Sequence, residues 1–215
     1  MDLDNTLYNQ EQILRYVFGR ISRFIEAEFG VPRVVVFNYL MNTVKSKTLR
    51  YPVFNDLVAR LHLDFSPRKL TEMYRLYTVE YLEKHRITLY RSALRLLETA
   101  DVVIYTEGCR EVQELKIANI ERGYGLKLRF ILVEDKLREE NSEIFERFKP
   151  EAYIGDNPYT DFLVPNKLGI PTIRVLTGLY KGVGNDVVEP AYRPLITLRS
   201  LKEFNPYLLK KRKVG

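Results

Sequence analysis

The sequence predicts an α/β protein in which a Rossmann-like parallel sheet, flanked by helices, carries an inserted all-helical domain. In the second half of the chain, short apolar runs alternate with helical stretches, a pattern typical of parallel strands joined by right-handed crossovers. From residue 9 to residue 86, apolar residues recur instead at three- and four-residue steps, which favours helices alone. We therefore expect a sheet core formed by residues 1–8 and 87–215 and a helical domain formed by residues 9–86.

Four helices are predicted in the helical domain. The first ends at Gly30, a residue that terminates helices well, and the second covers residues 32–41. Within the second, the run Val34–Val36 could equally form a strand. A third helix covers residues 53–61. A fourth begins at Ser66-Pro67, a good pair for an N-cap and a first helical turn, and continues to about residue 82.

Five short apolar runs are predicted to be the strands of the sheet. They cover residues 101–105, 130–133, 152–154, 172–175 and 196–198. Helices are predicted between them and after the last one, at residues 110–122, 139–148, 162–168 and from about residue 201 onward. This alternation of strands and helices is typical of a parallel sheet flanked by helices.

The composition limits the class of protein and the kind of metal site. The chain has 215 residues, 46% of them hydrophobic and 29% charged, which is typical of a soluble globular protein. No apolar run approaches the roughly 18 residues that span a bilayer, and we expect neither a secretory signal nor a membrane partner. A single cysteine, Cys109, fits the reducing cytoplasm. With two histidines and one cysteine, a metal here would be held mainly by oxygen, which favours Mg²⁺ over zinc.

The net charge of +6 would suit either nucleic acid or small anionic molecules. Four of the positive charges come from the tail Lys210–Lys213, which we interpret as a solvated basic tail at a helix end. We therefore do not expect a nucleic-acid partner. Abundant Lys, Arg and Glu, together with the absence of Trp, hint at a thermophilic source.

Polar residues stand at the ends of the predicted strands. In an open parallel sheet, ligands bind at the carboxyl ends of the strands, so we expect these side chains to converge. They are Asp2, Asp4, Thr106, Lys136, Asp156 and Asp161. Four carboxylates beside one lysine and one hydroxyl would be balanced by Mg²⁺ and a phosphate group.

These residues lie in four motifs that resemble those of the haloacid dehalogenase superfamily of phosphohydrolases. Asp2-Leu3-Asp4-Asn5-Thr6 resembles the first motif, Val103-Ile104-Tyr105-Thr106 the second, Lys136 the third, and the segment from Gly155 to Asp161 the fourth. Each motif alone is a weak signal, but four in order at strand ends are specific. The resemblance covers nearly the whole chain, and the helical domain matches the small cap that such enzymes insert between the first two motifs.

The resemblance implies a role for each motif residue. Asp2 would be the nucleophile that forms an aspartyl-phosphate, and Asp4 the general acid and base. The phosphate would be bound by Thr106, Glu107, Gly108 and Lys136. The magnesium ligands would be Asp2, Asp4 through its backbone carbonyl, Asp156 and Asp161. The expected enzyme is a phosphatase that acts on a small phosphorylated metabolite as a monomer or homodimer, with the cap closing over the site.

Three features depart from the family pattern. Glu107 stands where Asn is usual, and Lys136 lacks the usual neighbours, which leaves Lys127 as an alternative for the third motif. Only Met1 precedes Asp2, whereas family members have an apolar strand there. We therefore expect the first core strand to be missing from this chain, because the sequence starts downstream of its natural beginning.

Other interpretations remain open at this point. The same fold supports dehalogenases and phosphomutases, although Asp4 favours phosphoryl transfer, and a chain without its first strand could be a catalytically impaired binding or scaffold protein. Cys109 has no histidine to activate it, so we interpret it as an idle thiol. In the cap, four residues could face a substrate, although we favour surface positions for them: Arg15, Arg20, Arg50 and Tyr51.

Overall fold

The structure is a computed structural model that describes residues 1–46 and 51–206. Two units make up the chain. One is the helical unit, Gln10–Ile87, and the other, the core unit, combines Met1–Asn9 with the chain from Thr88 onward. Across the described ranges, no helix has the length and apolarity needed to cross a membrane. Arg50 and the basic tail lie outside the described residues.

The described residues of the helical unit form four helices: α1 (Glu11–Phe29), α2 (Arg33–Ser46), α3 (Val53–Arg60) and α4 (Pro67–Lys84). Helix α1 packs against α2 and α4, and its inner face is fully buried at four-residue steps from Val17 through Ile21 to Ile25. It ends at Gly30, whose φ of 69° is left-handed and whose N–H bonds to the Glu26 carbonyl.

The run Val34–Val36, which could have been a strand, lies inside α2. Val36 is buried there and Val34 is exposed. Burial of Val36 together with Leu40, one helical turn later, gives α2 its apolar face. The helical interpretation of this segment is therefore confirmed.

In the core unit, as far as residue 206, the structure has five parallel strands: β1 (Val103–Glu107), β2 (Arg129–Val133), β3 (Tyr153–Gly155), β4 (Thr172–Val175) and β5 (Ile196–Leu198). Strand β1 pairs with β2, with Tyr105 opposite Ile131. Strands β3, β4 and β5 pair in that order, with Ile154 opposite Ile173. Thus the predicted α/β class and parallel pairing are confirmed.

The helices of the core unit are α5 (Arg91–Thr99), α6 (Arg110–Tyr124), α7 (Ser142–Phe148) and α8 (Leu163–Lys167). Helix α5 was not predicted, although Ala93 and Leu97 are spaced for one apolar face. The prediction of a helix from residue 201 is wrong as far as the described residues extend. Residues 201–206 form a 3₁₀ turn at Leu201–Glu203 and no α-helix. Pro206 explains this, since the residue before a proline disfavours helical angles.

Met1 and Asp2 lie between the two groups of strands. The Met1 nitrogen donates to the Val103 carbonyl at 2.6 Å, and Tyr105 N–H donates to the Met1 carbonyl at 2.8 Å. On the other side, Asp2 N–H donates to the Ile154 carbonyl at 2.8 Å. These bonds place the side chain of Asp2 between the carboxyl ends of β1 and β3.

Candidate active site

A tight turn carries the first motif. Leu7 N–H bonds back to the Leu3 carbonyl at 3.0 Å, and Asn5 has a left-handed φ of 60°, which Asn tolerates better than most residues. The Asn5 carbonyl accepts a hydrogen bond from the Thr177 hydroxyl at 2.6 Å, which attaches the turn to the segment after β4. The turn therefore has a fixed conformation, with Asp2 at its start.

Lys136 is the cation at the centre of the site. Its Nζ lies 2.5 Å from Oδ1 of Asp2 and 2.7 Å from Oδ1 of Asp161, and all three side chains are buried. Burial alone would lower the pKa of Lys136, but the negative charges of Asp161 and Asp2 outweigh it and raise this pKa well above its usual value. Lys136 is therefore charged and bridges two motifs.

Asp2, Asp156 and Asp161 form a buried cluster in which one oxygen of each lies within 4.8 Å of the others. Burial raises the pKa of Asp2 to about 6, with the Lys136 charge opposing the rise and the Asp161 charge adding to it. The pKa of Asp156 is raised well above its usual value, first by burial and then by the charges of Asp2 and Asp161. The energetic cost of ionising these groups together is what a bound cation would remove.

Mg²⁺ fits this cluster. The Oδ2 atom of Asp156 is buried, and the described part of the chain gives it no hydrogen-bond partner. A buried carboxylate oxygen without a donor is costly, and a hard divalent cation would satisfy it. Thr6 completes the surroundings, since its hydroxyl lies 3.2 Å from Oδ2 of Asp2 and 3.4 Å from Oδ1 of Asp156. Asp2, Asp156 and Asp161 would therefore hold the ion.

The side chain of Asp4 lies outside this cluster. Lys116 Nζ is 2.9 Å from its Oδ1 and 2.8 Å from its Oδ2, Gln113 Nε2 is 3.2 Å from Oδ2, and the Tyr8 hydroxyl donates to Oδ1. Burial would raise the pKa of Asp4, but the charge of Lys116 and these hydrogen bonds outweigh it and lower this pKa. Asp4 therefore has its own set of donors, separate from the three clustered aspartates.

The predicted phosphate-binding residues lie at the end of β1. Thr106 is buried, and Gly108 has a φ of 141° that favours glycine. The Glu107 carboxylate accepts a hydrogen bond from the backbone N–H of Lys136 at 2.9 Å. Glu107, the departure from the family pattern, thus attaches the second motif to the third. Lys127 is exposed and precedes β2, whereas Lys136 follows it, so the structure brings only Lys136 into the cluster.

Arg174 was missed by the sequence analysis because it lies in the middle of an apolar strand. It is 0% exposed, and its guanidinium donates to the Asp156 carbonyl at 3.1 Å, the Tyr180 carbonyl at 2.8 Å and Asn185 Oδ1 at 2.5 Å. This buried guanidinium therefore holds the backbone of Asp156 in place through its carbonyl oxygen. An arginine inside a short apolar run was the available signal.

The remaining candidates are two arginines that form ion pairs within the helical unit and one cysteine of the core unit. Arg15 pairs with Glu11, and Arg20 pairs with Glu80, both on the helical unit. Cys109 is exposed. Lys116 and Gln113, which hold Asp4, were not singled out from the sequence because nothing local connects them to a residue more than a hundred positions away.

No protein-family model matches the chain, and no curated protein matches it in sequence. Solved structures do match. A protein assigned as a HAD-hydrolase, YfnB from Bacillus subtilis bound to magnesium, is 18% identical, with 94% of this chain and 93% of that one covered and a TM-score of 0.66. A HAD family hydrolase from Deinococcus radiodurans with bound phosphate and sodium is 15% identical, with 97% and 93% covered and a TM-score of 0.62.

A HAD phosphatase from Thermococcus onnurineus is 16% identical, with 100% of this chain and 96% of that chain covered and a TM-score of 0.53. Likeness at these identities concerns the arrangement of the elements. It extends over nearly the whole length of each chain, including the helical unit in this one.

Proposed function

The chain has the haloacid dehalogenase fold, and from this premise we propose that it is a Mg²⁺-dependent phosphatase that hydrolyses a small phosphate monoester. One observation carries the proposal. Asp2, Asp156 and Asp161 are buried together beside Lys136, and one oxygen of Asp156 has no donor among the described residues. Such a group of oxygen ligands suits a divalent cation, and the adjacent lysine suits the oxygens of a phosphate.

In the first half of the reaction, Asp2 is the nucleophile. One carboxylate oxygen of Asp2 attacks phosphorus, the bond from phosphorus to the ester oxygen breaks, and the departing oxygen takes a proton from Asp4. Thr106 and the backbone N–H groups that follow it bind the phosphoryl oxygens, while Lys136 offsets their charge. A bound Mg²⁺ would neutralise the carboxylates and draw electron density from the phosphoryl group.

In the second half, Asp4 acts as a base. It takes a proton from a water molecule whose oxygen attacks the phosphorus of the aspartyl-phosphate. The bond from phosphorus to the Asp2 oxygen breaks, so that inorganic phosphate leaves, Asp2 is a carboxylate again and Asp4 carries the proton for the next turnover. Asp4 favours this chemistry over dehalogenation, which does not need a second carboxylate in the first motif.

The test is hydrolysis of p-nitrophenyl phosphate with and without Mg²⁺ by the wild-type protein and by Asp2→Asn. We expect activity only with the metal, and a loss of about 10⁴-fold or more in the variant, because an amide cannot attack phosphorus. Asp101→Asn is the control, since Asp101 pairs with Arg129 at the surface. Appreciable turnover by Asp2→Asn, or an inactive wild-type protein, would reject the proposal.

A further inference from the structure

The carboxylate of Asp4 is held by more donors than its proposed chemistry requires. Lys116 Nζ contacts both oxygens, Gln113 Nε2 contacts Oδ2, and the Tyr8 hydroxyl contacts Oδ1. Lys116 and Gln113 are each only 4% exposed. Each oxygen of Asp4 thus has two donors, and together they fix the plane of the carboxylate.

Two of these donors come from one face of α6. Gln113 and Lys116 are three residues apart on this helix, so their side chains lie next to each other. The Gln113 Nε2 atom also donates to the Glu107 carbonyl at 2.8 Å, which attaches the same side chain to the end of β1. Asp4 is therefore aligned by a rigid helix that is connected to the predicted phosphate loop.

Gly108 leaves the space that this arrangement needs. A Cβ atom at this position would lie 2.9 Å from Gln113 Nε2, closer than side chains pack. The glycine of the phosphate loop thus permits the contact between loop and helix, in addition to its left-handed φ.

Stability alone does not account for a lysine placed in this way. A buried ion pair is often no more stable than an apolar pair of the same size, because both charges lose their water. Among the described residues, the Lys116 ammonium donates its hydrogen bonds to Asp4 alone. The contact instead determines where the Asp4 carboxylate points.

We propose that Lys116 and Gln113 are positioning residues that hold the Asp4 carboxyl group in the direction needed for proton transfer. Neither residue touches the substrate; both act through Asp4. The inference rests on the proposed phosphatase function and names residues that the family motifs do not contain. It requires that removing Lys116 should harm catalysis only while Asp4 is present.

The test is a double-mutant cycle with Lys116→Met, Asp4→Asn and the double variant, assayed with phenyl phosphate and Mg²⁺. Lys116→Met should lower kcat about 10- to 100-fold with KM nearly unchanged, a part of what general acid–base catalysis contributes. In the Asp4→Asn background the same change should cost less than about twofold, because Lys116 has nothing left to position. Lys167→Met, which removes an exposed ion pair with Glu139, is the control and should leave kcat unchanged.

Each outcome has a definite meaning. Equal losses from Lys116→Met with and without the Asp4 carboxylate, or no loss at all, would overturn the inference while the phosphatase function stands. An inactive wild-type protein would overturn both. If Lys116→Met does not fold, Gln113→Met replaces it in the same cycle, since this change leaves no unpaired charge, and the same non-additive pattern is expected.

Discussion

Gly155 and Asp161 are packed so closely that no other residue fits at the glycine. A Cβ atom on Gly155 would lie 2.7 Å from Cγ of Asp161 and 3.0 Å from its Cβ. The Asp161 carboxylate therefore packs directly against the backbone of β3 at Gly155. The opposite side of this carboxylate faces Lys136, and Asn157 N–H donates to its Oδ2 at 2.9 Å.

Gly155→Ala should displace Asp161 and weaken the metal site. We expect a loss of about 1–3 kcal/mol in the free energy of unfolding, the usual cost of overpacking, and a clear loss of Mg²⁺ affinity in calorimetric titrations. Gly182→Ala is the matched control, because nothing lies within 4 Å of a Cβ at that exposed glycine. Equal Mg²⁺ affinities in the two variants would show that Asp161 does not depend on the glycine.

Lys136→Met should destabilise the metal-free protein strongly. The change leaves Asp2 and Asp161 buried without their cation, and breaking a buried pair in this way typically costs about 3–5 kcal/mol. Added Mg²⁺ should raise the melting temperature of this variant more than that of the wild-type protein, because the ion replaces a missing positive charge. Thermal denaturation with and without Mg²⁺ measures both effects, and Lys167→Met provides the surface control. A variant as stable as the wild type without metal would contradict the central role of Lys136.

Mg²⁺ binding should weaken as the pH falls through about 6. Burial raises the pKa of Asp2 from 3.8 to about 6, so in this interval the folded metal-free protein holds a proton that the unfolded chain releases. As the pH rises from about 4 to above 6, ionising this buried group costs stability, and the metal-free protein becomes less stable.

A metal ion must displace the same proton. At pH 5, about one unit below this pKa, the Mg²⁺ affinity should be about tenfold lower than at pH 7.5 from Asp2 alone, and protonation of Asp156 adds to the loss. Isothermal titration at the two pH values measures the ratio. An affinity independent of pH would mean that Asp2 does not bind the metal as a carboxylate.

Asp4→Asn should slow the hydrolysis of poor leaving groups most. The variant keeps the backbone carbonyl but cannot donate or accept the proton, so we expect a loss of about 10²–10⁴-fold with alkyl phosphates. The loss in the first step should be smaller with p-nitrophenyl phosphate, whose leaving oxygen needs little protonation. Steady-state rates for both substrates provide the comparison. Losses of the same size for both would argue against general-acid catalysis by Asp4.

Much of the core could be predicted from the sequence because its strands are apolar runs bounded by polar clusters. All five strands are present at their expected places, and the residues that follow β2 and β3 supply Lys136 and Asp156 to one buried cluster with Asp2. The periodicity of a strand and the polarity of its end are local properties, so a single sequence reveals them.

Contacts between distant segments could not be predicted in this way. Lys116 and Gln113 look like ordinary polar residues of a helix, and their role becomes visible only when α6 meets the turn at Asp4. Arg174 was assigned to a strand correctly, but its buried guanidinium has partners in three separate segments. Tertiary structure determines these partners, and no local pattern encodes them.

The position of Met1 and Asp2 between β1 and β3 has a consequence for local opening of the protein. Tyr105 N–H and Asp2 N–H are bonded on opposite sides of this two-residue connection. A fluctuation that separates the two groups of strands must break the bonds on one side of this connection, and Asp2 then loses its attachment to one of the two groups. An ion held by Asp2 and by Asp156, which follows β3, would oppose opening on the β3 side, so Mg²⁺ should slow hydrogen exchange at the Asp2 amide more than at the Tyr105 amide. The ion would thus hold Asp2 against the end of β3, in addition to its proposed part in catalysis.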